Sequence, residues 1–85
     1  MEIQELQKIL RQTEAERKRL EKLKTEKAAQ IKHLKESIQG AVEGSKLATA
    51  QVLVEAARKE EVELSRVITE IKGLDAQAVS TKARL

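Results

Sequence analysis

Two aliphatic stripes with a seven-residue repeat run along this chain of 85 residues, and the second stripe is out of phase with the first. In the first half, reading Ile3 as heptad position a places large aliphatic side chains at seven of the twelve a and d positions up to Ala41. In the second half, the a positions begin instead at Ala50 and the d positions at Leu53. Heptad spacing sustained over this length is typical of a coiled coil. The sequence therefore predicts two long helices separated by a change of phase.

The segment between the two stripes, Gly40-Ala41-Val42-Glu43-Gly44-Ser45, contains two of the three glycines in the chain. Glycine disfavours a helix interior and readily ends a helix, and serine is a good N-cap for the helix that follows. Elsewhere the chain is rich in strong helix formers and has no proline. The predicted fold is therefore all-α: an antiparallel two-helix coiled-coil hairpin that self-associates into a four-helix arrangement.

The predicted organisation is a single domain over residues 1–85. Helix one is expected over about residues 2–39, the turn over residues 40–45 and helix two over about residues 46–85. Gly73 could interrupt helix two, but a helix that continues through it keeps the aliphatic repeat in register. Continuation is therefore preferred over a break near residue 73.

The two stripes can be paired by folding the chain about Val42, so that residue i faces residue 84 − i. Lys24 occupies an a position in this register and faces Glu60. Polar residues in a seam can select one register over others, so this pair is expected to do so. The predicted seam and register residues are Leu10, Leu20, Lys24, Ile31, Leu53, Glu60, Leu64 and Leu74.

Aliphatic residues also flank the predicted seam. Ile9 and Leu23 are at g positions of helix one, and Val54 and Ile68 are at e positions of helix two. Apolar surface would then project on both sides of the seam. The seam itself contains no aromatic residue, the type that usually contributes most to a core. This pattern favours a protein-interaction or oligomerisation module, or a scaffold, whose partner is a second copy or another helical protein.

A second interpretation concerns the basic residues of helix one. Residues 1–39 carry 10 Lys and Arg against 7 Asp and Glu, which accounts for the net charge of +3. A basic stripe could bind nucleic acid or an acidic partner, although no aromatic side chain is present to stack on bases. The same residues could equally form a solvated face with local ion pairs. The possible basic patch comprises Arg17, Lys18, Arg19, Lys22 and Lys27.

Catalysis is not expected, because the chain has no cysteine and its one histidine, His33, has no partners that would make it a catalytic or metal-binding group. No cofactor or metal is expected either. No apolar run approaches the length of a membrane span, so an intracellular location, cytoplasmic or nuclear, is expected. A parallel oligomeric rod with Gly40 and Gly44 as a hinge is the alternative architecture, and it would act as a spacer. The sequence contains no motif specific to one family of helical fingers.

Overall fold

The computed structural model describes residues 2–85, which form two long helices. Helix α1 spans Ile3–Glu43 and helix α2 spans Leu47–Ala83, with 41 and 37 residues. Lys27 contacts Glu60 while Arg17, nearer the N-terminus, contacts Asp75, so the two helices run antiparallel. The chain measures 64 × 14 × 13 Å. This confirms the predicted hairpin and excludes the open rod.

The turn is shorter than predicted and lies later in the chain. Helix α1 continues through Gly40 to Glu43, so Gly40 does not end it. The amides of Ser45 and Lys46 donate to the carbonyls of Val42 and Ala41 at 3.0 and 2.8 Å. These two bonds form the Schellman arrangement that closes helix C-termini. The interhelical connection is therefore residues 44–46 instead of residues 40–45.

The left-handed position that this closure requires is occupied by Ser45, with φ of 57°. Glycine usually occupies such a position because it has no side chain to clash there. Gly44, the preceding residue, has φ of −83°. Ser45 is therefore not the N-cap of helix α2 as predicted; that position belongs to Lys46, whose side chain makes no capping hydrogen bond.

Moving the turn also changes which residues face each other across the seam. Lys24 is exposed, and Glu60 instead accepts a hydrogen bond from Nζ of Lys27 at 2.9 Å. Leu20 packs in a cluster with Val67 and Ile71. The predicted pairing about Val42 is thus displaced by about one helical turn, because Lys27 and Glu60 are symmetric about a point between residues 43 and 44.

The buried residues follow the two predicted stripes. Thr13 and Thr81 are the buried polar residues, and their hydroxyls donate to backbone carbonyls four residues earlier at 2.8 Å, so they leave no donor unpaired. No side chain among residues 2–85 is less than 2 % exposed. Of the predicted seam residues, Leu10, Leu53, Leu64 and Leu74 are half-buried. The buried aliphatic residues are Leu6, Leu20, Ile31, Ala41, Ala50, Ala57, Val67 and Ile71.

Helix α2 continues through Gly73, as preferred from the sequence. At both Gly73 and Gly40 an added Cβ would meet nothing within 4 Å. Replacing either glycine by alanine is therefore expected to stabilise the hairpin, by up to about 1 kcal/mol at each site, because alanine restricts the unfolded chain and favours the helix. Urea unfolding followed by circular dichroism measures this, and a loss of stability at both sites would contradict uninterrupted helices.

Candidate interaction surface

The seam divides the hairpin surface into two flanks, because heptad positions d, g and c lie on one side of each helix and a, e and b on the other. We call these the Leu23 flank and the Val54 flank. The Leu23 flank includes Ile9, Glu16, Arg19, Leu23, Lys27, Glu60, Glu63 and Glu70. The Val54 flank includes Arg17, Lys35, Ile38, Val42, Leu47, Val54, Glu61, Ile68 and Asp75.

The Leu23 flank carries an ionic cluster that joins the two helices. Nζ of Lys27 lies 2.9 Å from Glu60 and 2.5 Å from Glu63, and the Lys27 side chain is 18 % exposed. The hydrogen bond to Glu60 raises the pKa of Lys27 most, and the hydrogen bond to Glu63 raises it further. The hydrogen bond from Lys27 in turn lowers the pKa of Glu63. One ammonium therefore holds two carboxylates of helix α2.

A second ion pair lies further along the Leu23 flank, within helix α1. Arg19 contacts the Glu16 carboxylate, and this hydrogen bond lowers the pKa of Glu16 and raises that of Arg19. Ile9 is half-buried, and Leu23, also half-buried, packs against the Leu20 cluster. The Leu23 flank therefore carries two ionic groups, and the Leu23 side chain already contributes to the core.

The Val54 flank is apolar where it approaches the turn. Leu47 is 64 % exposed and Val42 is 52 % exposed, and both border an open depression of about 410 Å³. Arg58 and Glu55 also line it. Within residues 37–54 only two residues are charged, whereas 36 % of the whole chain is. The apolar residues that line the depression are Ile38, Val42, Leu47, Ala50 and Val54.

Away from the turn the Val54 flank alternates ion pairs with aliphatic surface. Lys35 of helix α1 lies 3.6 Å from Glu61 of helix α2. Nearer the open end, Arg17 lies 2.5 Å from Asp75. Ile68 is half-buried along the same side of helix α2. In both interhelical pairs the cation comes from α1 and the carboxylate from α2.

The predicted partner face is split between these flanks. Ile9 and Leu23 belong to one side of the seam, and Val54 and Ile68 to the other. The four residues therefore do not form one continuous surface. Sequence reasoning missed the depression beside the turn, because its lining comes from both helices and from several heptad positions. The signal in the sequence was the low charge of residues 37–54.

Most of the predicted basic patch is engaged with carboxylates. Arg17 contacts Asp75, Arg19 contacts Glu16, and Lys27 contacts Glu60 and Glu63. Lys18 and Lys22 are exposed and form no ion pair within residues 2–85. Pairing of this kind reduces the positive potential available to an anionic ligand.

The side chains of residues 2–85 also bear on metal binding and on membrane insertion. No cluster of three or more His, Cys, Asp and Glu side chains is arranged to hold a metal ion in this part of the chain. Neither described helix contains a stretch long and apolar enough to cross a membrane.

Comparison with protein-family models, with curated proteins and with solved structures finds no match to this chain.

Proposed function

We propose that this chain is a protein-interaction module whose hairpin associates with a second copy of itself. The observation that carries the proposal is the incomplete core: no side chain among residues 2–85 is less than 2 % exposed. A second hairpin would cover one flank and turn the two-helix seam into the interior of a four-helix arrangement. Burial of the aliphatic flank residues would drive the association, because apolar surface leaves water favourably.

The exposed aliphatic side chains support the same proposal. Single exposed aliphatics are common on protein surfaces, whereas apolar groups that adjoin one another mark interaction sites. Val42 and Leu47 adjoin each other at the depression beside the turn, where Val54 completes the surface. This grouping supports an interaction surface over scattered exposure.

Sedimentation equilibrium from micromolar to millimolar protein tests the proposed function. The average mass is expected to rise from the chain mass of 9.5 kDa toward twice that value as concentration increases. The association is expected to persist in high salt, because burial of apolar surface is not screened. A mass that stays at that of one chain up to millimolar concentration would remove the proposal.

The same experiment separates this function from the basic-arm interpretation. Binding of nucleic acid through residues 17–27 would weaken steeply as salt increases, because each phosphate contact releases counterions. The pairing of Arg17, Arg19 and Lys27 with carboxylates gives that interpretation less support than self-association.

A further inference from the structure

We infer that two hairpins pack through their Val54 flanks, with both turns at the same end of the assembly. The inference rests on the proposed self-association and adds which surface is buried and in which orientation. The depression beside the turn is then covered by the same region of a second copy.

The choice of flank follows from which side chains association would remove from water. On the Leu23 flank, a partner would cover Lys27 together with Glu60 and Glu63. Removing such charges from water is unfavourable, because desolvation offsets the gain from ion pairing. On the Val54 flank, a partner would cover the apolar residues of the depression beside the turn. The two interhelical ion pairs farther along this flank would each face opposite charges of the second copy. The Val54 flank is therefore the one that association would bury at the lower cost.

The orientation follows from the distribution of charge along that flank. If both turns lie at the same end, a two-fold axis runs along the hairpin and sets α1 of one copy against α2 of the other. The apolar depressions then face each other. Lys35 and Glu61 lie at the same position along the hairpin axis, so Lys35 of each copy also meets Glu61 of the other. Positive and negative side chains then alternate around the four helices. Arg17 and Asp75 repeat this alternation nearer the open end.

The opposite orientation lacks this complementarity. With the turns at opposite ends, α2 of one copy packs on α2 of the other. In the register that overlaps the two α2 helices along their whole length and pairs their e positions, residue i lies against about residue 129 − i. Val54 then faces Asp75, and Ile68 faces Glu61. Both contacts place an aliphatic side chain against a carboxylate, so this orientation is disfavoured.

The size of the flank is sufficient for a specific dimer. A face of 64 × 14 Å is of the same order as the ~800 Å² per partner that a standard interface buries. The depression beside the turn would provide only part of this area. Contact along the whole flank is therefore required, which the same-end orientation allows without shifting the hairpins along each other.

A pair of matched variants tests which flank is used. Leu47→Glu places a carboxylate in the first turn of α2, where it favours the helix, so the variant should keep its fold. Val52→Glu makes the same charge change at a residue that is 70 % exposed and outside the Val54 flank. We expect Leu47→Glu to weaken self-association at least about tenfold and Val52→Glu to leave it nearly unchanged. Equal effects, with unaltered helicity, would overturn the choice of flank.

Cross-linking tests the orientation, since the chain has no cysteine of its own. Leu47→Cys and Lys82→Cys lie at e positions near the two ends of α2, about 52 Å apart at 1.5 Å per residue. A mixture of the two variants is treated with a short bismaleimide, and the linked dimers are identified by mass spectrometry. Dimers of each variant with itself are expected. Predominance of the mixed dimer would overturn the same-end orientation.

These outcomes are distinct from those that decide the proposed function. A wild-type chain that stays monomeric removes both the self-association and this inference. A dimer that resists Leu47→Glu, or that yields mainly mixed cross-links, removes the inference and leaves the self-association standing.

Discussion

Replacing Leu20 by alanine is expected to lower the free energy of unfolding by about 2–3 kcal/mol. Leu20 is 3 % exposed and packs with Val67 and Ile71 in the main aliphatic cluster of the hairpin. The expected loss lies toward the lower end of the range for buried leucines, because neighbouring side chains in a two-helix core can partly fill the space. A change of this size should shift the thermal midpoint by on the order of 10 °C in a chain of this length.

Thermal unfolding followed by circular dichroism checks this expectation, at one fixed protein concentration because association adds to stability. Val62→Ala is the matched control, since Val62 is 63 % exposed and its truncation should change stability by no more than about 0.5 kcal/mol. Equal effects of the two variants would contradict the seam described here.

Reversing the charge of Lys27 is the second change with a large expected effect. Lys27→Glu would place three carboxylates together, because Glu60 and Glu63 both lie within hydrogen-bond distance of the Lys27 ammonium. The thermal midpoint is expected to fall, and to fall less in high salt, which screens the repulsion. Lys22→Glu makes the same charge change at an exposed residue and should have little effect. The double variant Lys27→Glu with Glu60→Lys should recover part of the loss.

The pH dependence of the same cluster has a defined sign. The pKa of Glu63 is lowered in the folded hairpin, so its contribution is present above the unfolded pKa of about 4.3 and is lost as the pH falls through the folded value. The pKa of Lys27 is raised, so its contribution is complete below about pH 10.4 and is lost as the pH rises through the folded value.

The penalty of Lys27→Glu should therefore be largest between these limits and should shrink in acid, where the carboxylates are protonated. Melting curves of the wild type and the variant between pH 2 and pH 8 compare the two directly. A penalty that stays constant over this range would show that the cluster does not contribute through its charges.

The helices and their buried stripes could be predicted from the sequence, because the heptad spacing of Leu6, Leu20 and Ile31 fixes which side of a helix is apolar. The turn could not be placed to the residue. A glycine inside a helix costs only about 1 kcal/mol, so the hydrogen bonds gained by extending α1 past Gly40 offset that cost. The chain reverses instead at Ser45, a residue type that rarely adopts the left-handed conformation.

The error in the turn explains the error in the seam. Because a shift of the reversal point changes the facing residue by twice as much, a shift of one to two residues displaces the opposite helix by about one turn, which moves Glu60 from Lys24 to Lys27. A lysine–glutamate pair in the seam could thus be predicted, but which lysine forms it could not. The depression beside the turn depends on both helices at once, so it became visible only with the register settled.

Small-angle X-ray scattering at a concentration where the chain associates tests the central claim most directly, because one curve gives both mass and maximum dimension. A self-associated hairpin predicts twice the chain mass of 9.5 kDa and a maximum dimension close to the 64 Å length of one hairpin. A particle of the same mass that extends to roughly 120 Å, the length of an 85-residue open helix at 1.5 Å per residue, would contradict the hairpin.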